Sequence, residues 1–152
     1  MKIVLDTNVL VSAFISKQGQ PAAVLDLAVT FPEIELILSK PILDEFKGVI
    51  SRREVRERFD YSTKRIDQFV TTIRGASTTL EIKSDFKVIT EDSNDNLIVN
   101  TAVDGEAEFL VSGDKHLQRL KRFKKVRIVS PRTMLGTIGD RFQELVISQD
   151  LE

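Results

Sequence analysis

The chain has 152 residues, 41% of them apolar and 30% charged, with a net charge of −1 and no cysteine. This is the size and balance of one globular domain with its own core, so disorder is not the default reading. The lack of cysteine excludes disulfides and thiolate zinc sites and fits a reducing, cytoplasmic setting.

Met1-Lys2 runs straight into Ile3-Val4-Leu5, the pattern of a buried strand, so no secretory leader is expected. The longest apolar stretch, Val9 to Ile15, is interrupted by Ser12 and is too short to span a bilayer, so no membrane partner is expected. In chain order, Lys2–Leu5 predicts a leading strand and Thr7–Ser16 the helix after it. Gln20-Pro21 starts a second helix, proline being tolerated in a first turn. Ile34–Leu38 predicts the next strand. Pro41–Arg52 then reads as an amphipathic helix with Ile42, Leu43, Phe46, Val49 and Ile50 on one stripe. Ser62 is expected to cap a long helix ending near Gly75. A weaker strand candidate lies between Leu80 and Ile89, broken around Ser84-Asp85. Asn94–Val103 is apolar on nearly every side and predicts a deeply buried helix. Glu108–Val111 and Val126–Val129 predict further strands, and Ser130-Pro131 opens a last short helix towards Gly136.

Strands alternating with helices predict an α/β fold with a mainly parallel sheet of four to five strands. Their continuous apolar runs suit strands covered on both faces. No repeat, low-complexity tract or linker is visible, so residues 1–140 read as one domain. The tail 141–152 carries Leu145-Val146-Ile147 and reads as an added strand or a contact with another subunit.

Four acids stand out. Asp6 follows the leading strand directly, at the sheet edge where open α/β folds bind ligands; the plainer alternative is a helix N-cap, a task Thr7 or Asn8 can also perform. At about 100° per residue, Glu45 borders the buried stripe of its helix and can point into a crevice, whereas Asp44 lies on the solvated face. A boundary glutamate taken alone is more often a surface residue. Asp95 shares a face with Ile98 and Ala102, so its carboxylate leans inward, although acids in a first turn also serve the helix dipole. Asp114 repeats the geometry of Asp6 after the strand ending in Val111-Ser112 and the turn at Gly113, and again an N-cap is the alternative.

Together the four say more than singly. Carboxylates converging on one pocket raise each other's pKa unless a cation neutralises them. Ligands that are all oxygen select hard ions, Mg²⁺ or Mn²⁺. Such ions acidify bound water and stabilise oxyanions in phosphodiester attack.

On these residues the chain resembles the PIN-domain family, in particular its bacterial and archaeal branch of toxin components of toxin–antitoxin systems. Ile3-Val4-Leu5-Asp6-Thr7-Asn8-Val9-Leu10-Val11-Ser12 is similar to the family's opening motif. Leu38-Ser39-Lys40-Pro41-Ile42-Leu43-Asp44-Glu45, the run Asp92 to Leu97, and Val111-Ser112-Gly113-Asp114-Lys115 resemble the next three, in order. The resemblance covers Met1 to about Leu135. It implies a three-layer α/β/α sandwich and a ribonuclease that hydrolyses single-stranded RNA with Mg²⁺ or Mn²⁺. Metal binding and catalysis are carried onto Asp6, Glu45, Asp95 and Asp114, with Asn8, Asp92 and Ser112 as supporting groups. An antitoxin protein and a homodimer are the implied partners. Two positions depart from the family pattern: Asn94 replaces an acid of the third motif, and His116 stands where relatives often carry aspartate.

An acidic pocket repels nucleic acid, so basic residues must hold the backbone around it. Lys115, Arg119, Lys121, Arg122, Lys124 and Lys125 follow Asp114 with no acid among them; Arg52, Arg53, Arg56 and Arg58 form a second group diluted by Glu54 and Glu57. With no tryptophan and one tyrosine, strong readout by base stacking is not expected. The main competing reading is a catalytically weak or inactive PIN-fold module that binds nucleic acid or regulates a partner. A phosphoacceptor receiver domain would need an acidic pair after the first strand. A haloacid-dehalogenase-type phosphatase would need aspartate at position 8. Neither pattern is present.

Overall fold

Runs of Ile, Val, Leu and Phe build the centre of the sheet, because strands covered on both faces have no solvated side to alternate with. The computed structural model describes residues 1–88 and 93–150, with the side chains of Ser93 and 144–150 excepted. Among the described residues the strands are β1 (Lys2–Leu5), β2 (Glu35–Ser39), β3 (Ser77–Leu80), β4 (Phe109–Val111), β5 (Arg122–Phe123) and β6 (Val126–Val129). They form one sheet in the order β3-β2-β1-β4-β6-β5. Every pairing is parallel except β5 with β6. The chain leaves β1 towards β2 on one side and returns to β4 on the other. The topological switch point, where such sheets bind ligands at the carboxyl ends of their strands, therefore lies between β1 and β4.

The helices are α1 (Thr7–Ile15), α2 (Gln20–Thr30), α3 (Lys40–Ile50), α4 (Arg53–Phe59), α5 (Thr63–Gly75), α6 (Ser93–Asp104), α7 (Lys115–Leu120) and α8 (Pro131–Asp150). Successive residues of β1, β2 and β4 are buried, so both faces of the sheet are covered and the expected three layers result. The α6 layer comes so close to β2 that a Cβ on Gly105 would stand 2.7 Å from Ile37 Cγ2. In the helical layer Phe14 of α1 meets Phe46 of α3, Tyr61 and Phe69 of α5 edge to face, with ring centroids 4.7–5.9 Å apart. The Ser62 hydroxyl accepts the Arg65 amide hydrogen, as its cap position predicts.

Several expectations change. The weak strand placed between Leu80 and Ile89 is a sheet strand only at Ser77–Leu80, and the two-residue β5 brings the sheet to six strands. Beyond β3, residues 81–88 alternate exposed and half-buried, as a strand would, but α6 side chains replace the ladder partner. Asp104 accepts the Lys83 and Ser84 amides at 2.6 and 2.9 Å, and also the Ser84 hydroxyl. The Asn100 side chain accepts from the Phe86 amide at 2.9 Å and donates to its carbonyl at 3.0 Å. This strap covers one side of α6. Leu97 on another side is 39% exposed, so the helix is less enclosed than its composition suggests. The helix from Lys40 stops at Ile50 and a separate polar helix, α4, follows. The last helix does not end near Gly136 but runs to Asp150, so the added-strand reading of the tail gives way to helix. Phe142 lies 4.7 Å from Phe31, and Arg141 forms a bidentate ion pair with Glu108.

Candidate acidic site at the sheet switch point

Asp6 follows β1 and its amide donates to the Val111 carbonyl at 2.9 Å, extending the β1–β4 ladder by one residue. That bond holds its side chain at the switch point, where it is only 3% exposed. The Ser112 hydroxyl, fully buried, donates to Asp6 Oδ2 at 2.7 Å and accepts the Asp114 amide at 2.9 Å. Gln118 Nε2 donates to the Ser112 carbonyl at 2.7 Å, which steadies that serine from α7. One short chain of hydrogen bonds thus links the ends of β1 and β4. Asp6 forms no side-chain cap on α1, so the N-cap alternative is not realised there.

Glu45 arrives from α3. Its Oε2 accepts from the Thr7 hydroxyl at 3.1 Å, which ties it to the residue next to Asp6. Glu45 is half-buried, whereas Asp44 is exposed and paired with Lys40 at 2.6 Å, the division that helix geometry predicts. Thr7 is 2% exposed and was not singled out from sequence, because a hydroxyl after a strand-end aspartate reads first as a cap. Asp114 does cap α7: its Oδ1 accepts the His116 amide at 2.7 Å.

Burial is the largest influence on Asp6 and pushes its carboxyl above the ordinary range. The Ser112 hydroxyl and the nearby Asn8 amide oppose this, and the charges of Asp114 and Glu45 add to it. The Asn8 amide sits close enough to act on the charge yet falls short of a capping bond. The charges of Glu45 from α3 and of Asp114 from the β4–α7 turn therefore both reach Asp6.

Asp95 is 7% exposed in the first turn of α6, and Ile98 and Ala102 on its face are buried, as predicted. α6 packs on β1, β2 and β4 and leads back to the amino edge of the sheet, so its first turn lies towards the carboxyl edge. The Asn8 side chain is exposed and lines, with Ser12, Gly113, Asp114 and Pro131, a cavity of about 230 Å³ beside the acids. Asp92 lies outside the described residues. Among the described residues no three Asp, Glu, His or Cys side chains stand close enough, as placed, to hold a metal ion. The site fits a hard divalent ion through its chemistry: oxygen-only donors around a buried carboxylate whose charge is opposed by its surroundings.

Lys115, Arg119, Lys121, Arg122, Lys124 and Lys125 are all exposed, beginning beside Asp114. In the second basic group, Arg53 is paired with Glu57 at 2.9 Å and Arg58 lies over the Phe59 ring. Among the described residues no helix is long and apolar enough to cross a membrane.

A mainly parallel α/β sheet with a buried aspartate at its switch point defines a class of open-sheet domains that bind ligands at that edge. More specifically, the chain belongs to the PIN-domain family, whose model matches residues 2–116 and so spans Asp6, Glu45, Asp95 and Asp114. The uncharacterized protein MJ1680 of Methanocaldococcus jannaschii is 31% identical over 121 residues, which is 80% of this chain and 76% of that protein. Among solved structures, the crystal structure of VapBC2 from Rickettsia felis bound to a DNA fragment from their promoter matches with a TM-score of 0.58. That match has 19% identity and covers 86% of this chain and 98% of the other, a likeness of fold.

Proposed function

We propose that this chain is a metal-dependent endoribonuclease that hydrolyses phosphodiester bonds of single-stranded RNA. The observation that carries the reading is Asp6, a buried carboxylate that Glu45 and Asp114 burden with further negative charge. Such a group is tolerable when a cation meets it. Asp6, Glu45, Asp95 and Asp114 would hold Mg²⁺ or Mn²⁺, with Asp92 as an outer acid. When bound, the ion supplies Lewis-acid stabilisation of a charged phosphoryl oxygen and lowers the pKa of water. The chain's own residues do the rest. Ser112 orients Asp6, Thr7 orients Glu45, and Asn8 offers a polar side chain at the mouth of the adjoining cavity. Lys115, Arg119, Lys121, Arg122, Lys124 and Lys125 hold the phosphate backbone against the repulsion of the acids.

PIN-domain membership supports the nuclease class and divalent-ion dependence. The likeness in fold to VapBC2 supports a toxin role with an antitoxin protein as partner. A homodimer in the cytoplasm is part of the same proposal. The absence of a ready-made ligand cage among the described residues favours one competing reading, a PIN-fold module that binds nucleic acid or a regulatory partner without cutting. Calorimetric titration with Mn²⁺, paired with cleavage of a single-stranded RNA, separates the two. The nuclease reading expects metal binding and cleavage that Asp6→Asn or Asp95→Asn abolishes without loss of fold. Cleavage retained in either variant would break the assignment.

A further inference from the structure

The basic run is not one compact patch. α7 starts beside Asp114 at the carboxyl edge of the sheet, whereas β6 begins at Val126 on the opposite edge and ends at Val129, beside Val111. The β5–β6 turn carrying Lys124 and Lys125 therefore lies at the amino edge. A strand spacing of about 4.8 Å and a rise of about 3.3 Å per residue put it on the order of 15 Å from Asp114.

That turn is held by several contacts. Lys124 sits in the left-handed region at φ 53°, and Arg122 Nε donates to its carbonyl at 2.9 Å. The Lys124 ammonium stands 4.6 Å from the Phe86 ring centroid and 5.9 Å from that of Phe123. The two rings meet edge to face at 5.5 Å. Phe86 is delivered by the strap, both of its backbone groups bonded to Asn100. A lysine usually loses much rotamer freedom when it grips an anion. Here the rings have already placed the charge while leaving the side chain at the surface.

We infer that Lys124, held by Phe86 and Phe123, is a distal anchor for the phosphodiester backbone of a single-stranded nucleic acid whose other end reaches the acidic pocket. The inference rests on the proposed function for its occupant; what it adds is a defined reach and two aromatic positioning residues. Affinity should then rise in a step once a strand is long enough to touch the turn.

The test is fluorescence anisotropy of the full chain, in EDTA to prevent cleavage, with RNA of about two to about twelve nucleotides, a range bracketing common single-strand site sizes. Wild type should show the step. Lys124→Gln should lose about tenfold on long strands, the yield of one charge-assisted hydrogen bond. Its salt slope should fall by about 0.7. Phe86→Leu keeps the charge and the apolar packing, so it should lose much of the gain while retaining the slope. Phe86→Leu should bind the shortest strands as wild type does, and both variants should melt close to it. A wild type without the step, a Lys124→Gln that keeps it, or a Phe86→Leu identical to wild type would each overturn the anchor. Binding with no step removes the anchor alone; the ribonuclease reading falls separately, if Mn²⁺ neither binds wild type nor supports its cleavage of RNA.

Discussion

Replacing Asp6 by asparagine keeps the shape of the side chain and an oxygen to accept the Ser112 hydrogen bond, while removing the buried charge. Burial and two like charges work against two donors here, so the metal-free variant should be the more stable at neutral pH. Mutational data for buried polar groups without full compensation put such a gain at about 1–3 kcal/mol. At about 2–4 °C per kcal/mol for a chain of this size, its melting midpoint should rise by roughly 2–12 °C. The sign with pH follows from the direction of the shift. A carboxyl whose pKa is higher folded than unfolded favours the fold while protonated, and that contribution is lost as pH rises through the folded value. The gap between variant and wild type should thus be widest at neutral pH and close as the buffer is acidified through that value. Mn²⁺ at about a hundred times its Kd should stabilise wild type by about 2.7 kcal/mol and add little to the variant. Circular-dichroism melts over a pH series, with and without Mn²⁺, measure all of this. An asparagine variant no more stable than wild type at neutral pH, or a gap indifferent to acidification, would refute the picture of an uncompensated buried charge.

Ser112→Ala removes the donor to Asp6 and the acceptor for the Asp114 amide; urea unfolding should show a loss of about 1.5–3 kcal/mol, and RNA cleavage should fall with it. Asp104→Ala strips the acceptor from the strap and should cost about 1–2 kcal/mol, with faster hydrogen exchange at the Lys83 and Ser84 amides. Burial pushes the Asp104 carboxyl up, but the Ser84 and Lys83 donors and the Lys83 charge outweigh it and hold the pKa below the ordinary value. Its contribution is therefore present above the unfolded pKa and lost as pH falls through the folded one, so the same amides should lose protection in acid. Gly105→Ala forces a Cβ against Ile37, Leu80 and the Thr101 carbonyl, and should destabilise by about 1–3 kcal/mol in a thermal melt.

The elements legible in the sequence are those whose physics is local. β1 and β6 were read to the residue because buried parallel strands appear as unbroken apolar runs, and α5 because Ser62 caps it. β3 was misplaced because Ser77-Thr78-Thr79 is a polar edge with only Leu80 to mark it. The strap read as a broken strand because its partners are two side chains on α6, a substitute that no periodicity reveals. α4 buries none of its residues and so lacks a stripe. Gly136 suggests an end to α8, yet it sits in open space where its missing side chain costs no packing. Asp6, Glu45 and Asp114 stand out in the sequence because strand ends and stripe boundaries are readable positions, and the charges of the latter two do reach Asp6. Thr7 does not stand out, since its bond to Glu45 spans 38 positions.

The bond between Ser112 and Asp6 joins residues 106 positions apart. A ribosome that has made the chain only as far as α6 has already supplied Asp6, Glu45 and Asp95, but neither the serine that steadies the first nor the strand that β1 needs on its second side. A fragment ending at α6 would hold Asp6 without the Ser112 hydrogen bond or the β4 ladder that fix its side chain. The surroundings of that carboxylate are therefore complete only once β4 and the turn after it have been made.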